Sequence, residues 1–175
     1  MGFSLYQVPM VEQGQNPICW VACAAMILSW KNQSSVSIND LIGADPSNSC
    51  VSNPGGGTFD SLRTYLQGWG FACETAQVSP TGDYVEQRLL AHGPLLFVHQ
   101  TEGFPYDARF PPYTCSPLIA PGQHAIVLTG MNTDDMTCAF KNPWGSVGVV
   151  AVQVVLDAIV DIEQVSGSFP FAFLP

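Results

Sequence analysis

An apolar stretch near the start of the chain, residues 18–30, carries apolar side chains on nearly every face of a helix. Such a pattern is typical of a helix buried in the core of a domain, so we expect a central helix here. Asn16 can cap its N-terminus, and Pro17 fits the first helical position, where its missing N–H costs nothing. Cys19 would then lie at the positive end of the helix dipole, which favours thiolate over thiol.

Three further helices are predicted before residue 94. Residues 35–43 form a short one, residues 58–67 have apolar positions at helical spacing, and a third helix runs to about Ala91. Residues 45–57, between the first and second of these helices, are rich in Pro, Ser, Asn and Gly and predict a loop. The first of these helices has Ser37 as a cap and Gly43 as a stop, and the second has Gly68 as a stop. The third has Thr81 or Asp83 as a cap and Gly93-Pro94 as a stop.

The pattern changes at Pro94 to short runs rich in Val and Ile, which predict strands. The strands are expected at residues 95–98, 123–130, 137–141 and 147–155, with 156–162 as a short helix or strand and 169–174 closing the sheet. Residues 102–122 hold five prolines and predict a long surface loop. Helices followed by strands predict an α+β fold in one domain, 1–175, with a helical lobe at about 1–93 and an antiparallel β lobe at about 94–175.

Composition narrows the classes of partner. The chain has 175 residues, of which only 11% are charged, and its formal net charge is −9. The few basic residues are scattered and form no basic stripe, which argues against nucleic-acid binding. We expect no membrane span and no secretory signal, and therefore a cytoplasmic protein, one exported by a non-classical route, or one domain of a longer protein. The five basic residues are Lys31, Arg63, Arg88, Arg109 and Lys141.

The cysteines do not indicate a metal site. None of the six forms a CxxC pair, so we predict no zinc site, no other metal and no cofactor. We expect a reduced protein, although the sequence leaves the pairing of the five cysteines besides Cys19 open. Those five are Cys23, Cys50, Cys73, Cys115 and Cys138.

Histidine and asparagine add the rest of a possible catalytic group. His92 borders a helix end, where a capping role is expected, and His99 ends a strand, where an exposed side chain is expected. His124 begins an apolar strand, and Asn142 opens an Asn-Pro-Trp-Gly turn. A thiolate nucleophile needs a base, and the base needs an orienting partner, so Cys19, His124 and Asn142 meet both needs in chain order.

These segments resemble those of papain-like cysteine proteases. The matching pieces are Gln13-Gly14 ahead of Cys19-Trp20, then His124-Ala125, then Asn142-Pro143-Trp144-Gly145. Residues 53–57 also resemble the Asn-Gly-Gly turn that lines the family's substrate cleft, with a proline inserted. The resemblance implies that Gly56 and Gly57 bind substrate.

The same resemblance implies a role for each active-site residue. Cys19 attacks the carbonyl carbon, and His124 shuttles the proton while its imidazolium stabilises the thiolate. Asn142 holds the imidazole ring. Gln13 donates its side-chain amide to the oxyanion together with the backbone N–H of Cys19. Trp144 shields the His–Asn pair from water and lies in the substrate site.

The chain also departs from the family pattern. Asn16 stands where the family has an extra cysteine, so one typical disulfide lacks a partner. The histidine and asparagine follow the nucleophile more closely than the usual separation of about 130–150 residues. With no inhibitory pro-segment expected, the resemblance is to a compact bacterial peptidase of the kind delivered into other cells as an effector or toxin. A protein substrate and a dedicated inhibitor or immunity protein would be its partners.

Two other functions fit the same residues. The triad can hydrolyse other amides, as an amidase, a deamidase or an isopeptidase acting on cell-wall peptides or conjugated proteins, because all of these proceed through a thioester. A non-catalytic binding module is the other alternative. It would be expected to have lost a member of the group, and Gln13, Cys19, His124 and Asn142 are all present.

Overall fold

The computed structural model describes residues 3–14, 18–43, 59–75, 80–100, 104 and 123–175. Its helices are α1 (Cys19–Asn32), α2 (Ile38–Gly43), α3 (Phe59–Gly68), α4 (Gly82–His92) and α5 (Val152–Glu163). Its strands are β1 (Phe3–Leu5), β2 (Ala72–Glu74), β3 (Leu95–Gln100), β4 (Gln123–Asn132), β5 (Thr137–Asn142), β6 (Ser146–Ala151) and β7 (Phe171–Phe173). The loop predicted at 45–57 and, except for Phe104, the loop at 102–122 lie outside the described residues.

The described strands form one antiparallel sheet, which confirms the predicted α+β fold. The strand order is β2-β7-β3-β4-β5-β6, and β1 pairs with the C-terminal part of β4. Strands β3 and β4 run side by side over six positions, and their register sets His99 directly opposite His124. The sheet therefore joins segments from both ends of the chain around β4.

Helix α1 is buried against this sheet, as the apolar pattern predicts. Its residues from Trp20 to Ile27 are all buried, and all but Ala22 share a hydrophobic cluster with residues of β3 and β4. The predicted start of the helix is wrong, because the N-cap is Ile18 and the first helical residue is Cys19. The N-cap residue Ile18 itself supplies no side-chain hydrogen bond to this end. Pro17 therefore precedes the cap, and Asn16 and Pro17 lie outside the described residues.

The predicted caps at the starts of two other helices are confirmed. The Ser37 N–H donates to Asp40 Oδ2 at 2.7 Å, and the Asp40 N–H donates to Ser37 Oγ at 3.2 Å. This reciprocal pair is a capping arrangement for α2. Thr81, rather than Asp83, caps α4 by accepting from the Tyr84 N–H.

The second half of the chain contains a helix that the pattern predicted as strand. β6 ends at Ala151, and Val152 begins α5, so the strand predicted for 147–155 is wrong from Val152 onward. The buried positions Val152, Val155 and Ile159 recur three or four residues apart, which is helical spacing. They pack on the face of the sheet that carries Phe97, opposite the face that α1 covers.

The first half also contributes strands that were not predicted. β1 and β2 each have three residues, too few to show an alternating pattern. Within the described ranges, no helix combines the length and the apolar character needed to cross a bilayer.

Candidate active site

The centre of the site is a hydrogen bond between two neighbouring strands. His124 lies near the start of β4 and Asn142 at the end of β5, so the antiparallel pairing brings their side chains together. His124 Nε2 and Asn142 Oδ1 are 2.9 Å apart, and both residues are buried. Because an amide oxygen only accepts, Nε2 carries the proton. In the neutral ring the lone pair is then on Nδ1, the atom that can act as a base.

The Asn-Pro-Trp-Gly turn fixes both partners of this bond. The Trp144 N–H donates to the same Oδ1 of Asn142 at 3.1 Å, and the Gly145 N–H donates to the Asn142 carbonyl at 2.9 Å. Gly145 closes the turn with a φ of 94°, a conformation that favours glycine. The indole of Trp144 is thereby laid over His124, with ring centroids 4.1 Å apart and planes 22° apart. Trp144 is buried and covers one face of the imidazole.

Gln13 is held against the same turn from the other end of the chain. Its backbone N–H donates to the carbonyl of Pro143 at 2.9 Å, and its side chain is buried. The segment leading to it is anchored on the sheet, because the Tyr6 N–H donates to the Thr129 carbonyl at 2.7 Å. The structure therefore brings Gln13, His124, Asn142 and Trp144 together.

Cys19 is the first residue of α1 and is partly buried, at the end of the helix where backbone N–H groups have no helical acceptor. The other described cysteines lie in apolar surroundings. Burial raises the pKa of Cys73 to about 11 and that of Cys138 to about 12, and it raises the pKa of Cys23 well above the ordinary thiol value. None of these four cysteines forms a disulfide with another described residue. Cys50 and Cys115 lie outside the described residues.

Burial also controls the protonation of His124. It lowers the pKa of His124 to about 4, although the hydrogen bond that His124 donates to Asn142 acts in the opposite direction. The resting imidazolium that the family resemblance implies is therefore disfavoured by burial. A neutral imidazole at physiological pH is suited to take a proton from a thiol and to give it back later.

His99 is a part of the site that the sequence did not reveal. The prediction of an exposed side chain is wrong, because His99 is fully buried, and its ring lies perpendicular to that of His124 with centroids 6.1 Å apart. It stacks on Phe97 and Phe104, and its Nδ1 lies 2.5 Å from the Gln100 carbonyl oxygen. Burial lowers the pKa of His99 to about 3. Only the β3–β4 register, which the sequence does not specify, places it beside His124.

The structure does not describe the predicted cleft glycines, Gly56 and Gly57. It places His92 as the last residue of α4, with its ring stacked on that of Phe173 and the two ring centroids 3.8 Å apart. Across the described positions no group of three His, Cys, Asp or Glu side chains could hold a metal ion.

A cysteine at a helix start and a histidine bound to an amide oxygen under a tryptophan are typical of papain-like cysteine peptidases. The fold is similar to the crystal structure of a Bacillus anthracis protein described as a C39-like peptidase. The TM-score is 0.61 at 14% sequence identity, and the match covers 100% of this chain and 98% of that chain.

Residues 3–153 match the model of the family described as papain-like cysteine protease AvrRpt2, and the chain belongs to this family. No match was found among curated proteins. Family and fold together make the protein a papain-like cysteine peptidase, as its motifs predicted.

Proposed function

We propose that the protein is an endopeptidase that cleaves a protein substrate through a triad of Cys19, His124 and Asn142. The observation that carries the proposal is the 2.9 Å contact between His124 Nε2 and Asn142 Oδ1 beneath Trp144. It fixes the tautomer in which Nδ1 is the basic atom. Membership of a cysteine protease family supports Cys19 as the nucleophile because it begins the central helix.

The first half of the reaction forms a thioester. His124 Nδ1 takes the proton from the Cys19 thiol as the sulfur attacks the substrate carbonyl carbon. The carbonyl oxygen becomes an oxyanion, which accepts hydrogen bonds from the Gln13 side-chain amide and the Cys19 backbone N–H. Asn142 Oδ1 stabilises the imidazolium that exists at this point, since a hydrogen bond to the charged form favours it. The imidazolium then protonates the leaving amine, and the C–N bond breaks.

The second half releases the other product. His124 Nδ1 takes a proton from water as the water oxygen attacks the thioester carbon. The C–S bond breaks, the acid product leaves, and the proton returns to the Cys19 sulfur. The indole of Trp144 keeps bulk water away from the hydrogen bond between His124 and Asn142, which strengthens that bond in a low-dielectric setting.

Cleavage of a denatured protein, followed by mass spectrometry of new termini, tests the proposal. Cys19→Ala and His124→Ala should abolish cleavage, whereas Cys73→Ala, which removes another partly buried thiol, should leave it unchanged. Cleavage that survives Cys19→Ala would refute the nucleophile. A deamidase would instead change the substrate mass without producing new termini.

A separate variant tests the oxyanion role of Gln13. Gln13→Ala should lower kcat about 10²–10³-fold with little change in KM, which is the usual effect of losing one oxyanion donor. Steady-state kinetics of the purified variant measures both constants. An unchanged kcat would assign the oxyanion to backbone donors alone.

We also propose that the peptidase acts as an effector or toxin restrained by a dedicated inhibitor protein. The support is the likeness of its motifs to compact bacterial peptidases, together with its sparse charge. Expression of wild type and Cys19→Ala in a host without any partner tests this. Toxicity of the wild type alone is expected, and equal growth of both strains would remove the reason for an inhibitor.

A further inference from the structure

An acidic side chain lies against the active-site turn and has no part in the chemistry above. Glu12 directly precedes Gln13 and is exposed. A Cβ atom built on Gly145 would lie 3.1 Å from Glu12 Oε1 and 3.2 Å from its Cδ, so the carboxylate rests on the backbone of the turn. The hydrogen bond from the Gln13 N–H to the Pro143 carbonyl fixes the backbone next to it.

No side chain among the described residues neutralises the charge of Glu12. Among the described residues the one ion pair joins Arg88 to Glu74, in the part of the chain formed by β2 and α4. Lys141, one residue before Asn142, makes no salt bridge to Glu12. An exposed carboxylate without such a partner stays hydrated and attracts cations through its electrostatic field. It can therefore form an ion pair with a cationic side chain of the substrate.

The chemistry of the reaction shows which part of a substrate this carboxylate faces. His124 must protonate the leaving amine, so the residue that follows the scissile bond lies close to His124. Trp144 covers one face of that imidazole, Gly145 follows it in the chain, and Glu12 rests on Gly145. Glu12 therefore borders the path of the substrate on the C-terminal side of the scissile bond.

We propose that Glu12 is a specificity-determining residue that selects substrates with Lys or Arg within the first three residues after the scissile bond. The proposal rests on the proposed function, because it takes His124 as the general acid. The net charge of −9 acts in the same direction, since it attracts basic segments to the protein as a whole.

Cleavage of a complex peptide mixture tests the preference. New termini are identified by mass spectrometry for wild type, Glu12→Gln and Glu12→Lys. The matched controls are Glu163→Gln and Glu163→Lys, which alter an exposed glutamate at the far end of α5. The frequency of Lys and Arg at the three positions should fall about twofold to fivefold in Glu12→Gln, the range for one exposed ion pair. It should fall further in Glu12→Lys and stay unchanged in the controls.

The effect should weaken at high salt, because an exposed pair is screened. An identical cleavage profile in wild type and Glu12→Lys would overturn the proposal. So would an equal change in the Glu163 variants, since that would reflect total charge and not the position of Glu12.

A second measurement does not depend on peptide cleavage. The rate of Cys19 modification is compared for a cationic and a neutral methanethiosulfonate, and the modified peptide is quantified by mass spectrometry. The ratio of the two rates should fall about twofold to fivefold in Glu12→Gln and remain unchanged in Glu163→Gln. Equal ratios in wild type and Glu12→Gln would overturn the role of Glu12. Cleavage that persists in Cys19→Ala would refute the proposed function and leave this ratio as the deciding result for Glu12.

Discussion

Acid should destabilise the folded protein by protonating two buried histidines, His99 on β3 and His124 on β4, which lie opposite each other in the sheet. Burial lowers the pKa of His99 to about 3 and that of His124 to about 4, while both titrate near 6.5 when the chain is unfolded. Between these values the unfolded state binds a proton at each site and the folded state does not. Stability is therefore fully present above the unfolded pKa and is lost as the pH falls toward the folded values.

The size of the effect follows from the same pKa values. Lowering the pH from about 6 to about 4.5 removes slightly under 2 kcal/mol for each histidine, or about 3.5 kcal/mol for both. Small domains have a total free energy of unfolding of about 5–15 kcal/mol. Two side chains thus account for a large share of the free energy of unfolding over a range of about one and a half pH units.

Urea unfolding followed by tryptophan fluorescence at the two pH values measures this loss directly. The His99→Phe variant keeps an aromatic ring between Phe97 and Phe104 but has no titrating group. Its loss between the two pH values should be smaller than that of wild type by about 2 kcal/mol. Carboxylates contribute equally to both proteins and cancel in the difference. An equal loss in the two proteins would show that folded His99 accepts a proton, and would refute this reasoning.

Three further predictions concern single residues. Iodoacetamide at mildly acidic pH should label Cys19 before the other cysteines. A helix start favours the thiolate of Cys19, whereas burial holds the proton on Cys23. Peptide mapping that shows uniform labelling of the cysteines would contradict this. Asn142→Ala should lower kcat less than Cys19→Ala does, because it disturbs only the orientation of the ring, and equal losses in steady-state kinetics would show a larger role. Gly148→Ala should lower the Tm by an amount equivalent to about 1–3 kcal/mol, because its Cβ would lie 2.5 Å from the Phe140 ring. Gly43→Ala should not, because no atom of the described residues would lie within 4 Å of its Cβ.

The sequence predicted the parts of the fold that are specified locally. The apolar run after Cys19 predicts a buried helix whatever surrounds it, and Ser37 and Thr81 cap helices through bonds within three residues. The Asn142 turn is equally local, because its amide oxygen accepts from the N–H two residues later. The site residues could be proposed from the sequence because each lies within a short motif.

The errors concern features that depend on distant partners. Val152 to Val155 are β-branched or polar residues that suit a strand on propensity alone, and only packing against the sheet makes them helical. Strands β1 and β2 exist because β4 and β7 offer them edges. His99 is buried because its strand continues to Gln100 and pairs with β4, which no pattern within residues 95–98 indicates.

The route of the chain through the site has a consequence for its synthesis. Phe3 pairs with Asn132 and Gln13 is tied to Pro143, so the first strand and the predicted oxyanion donor find their partners only after most of the chain exists. Contacts between residues so far apart are closed late in folding, because the entropy of a long loop must be lost first. At about 5–20 residues per second, a ribosome adds the histidine several seconds after the cysteine. A nascent chain therefore carries the proposed nucleophile for some time without the proposed base, and the candidate active site is assembled late in folding.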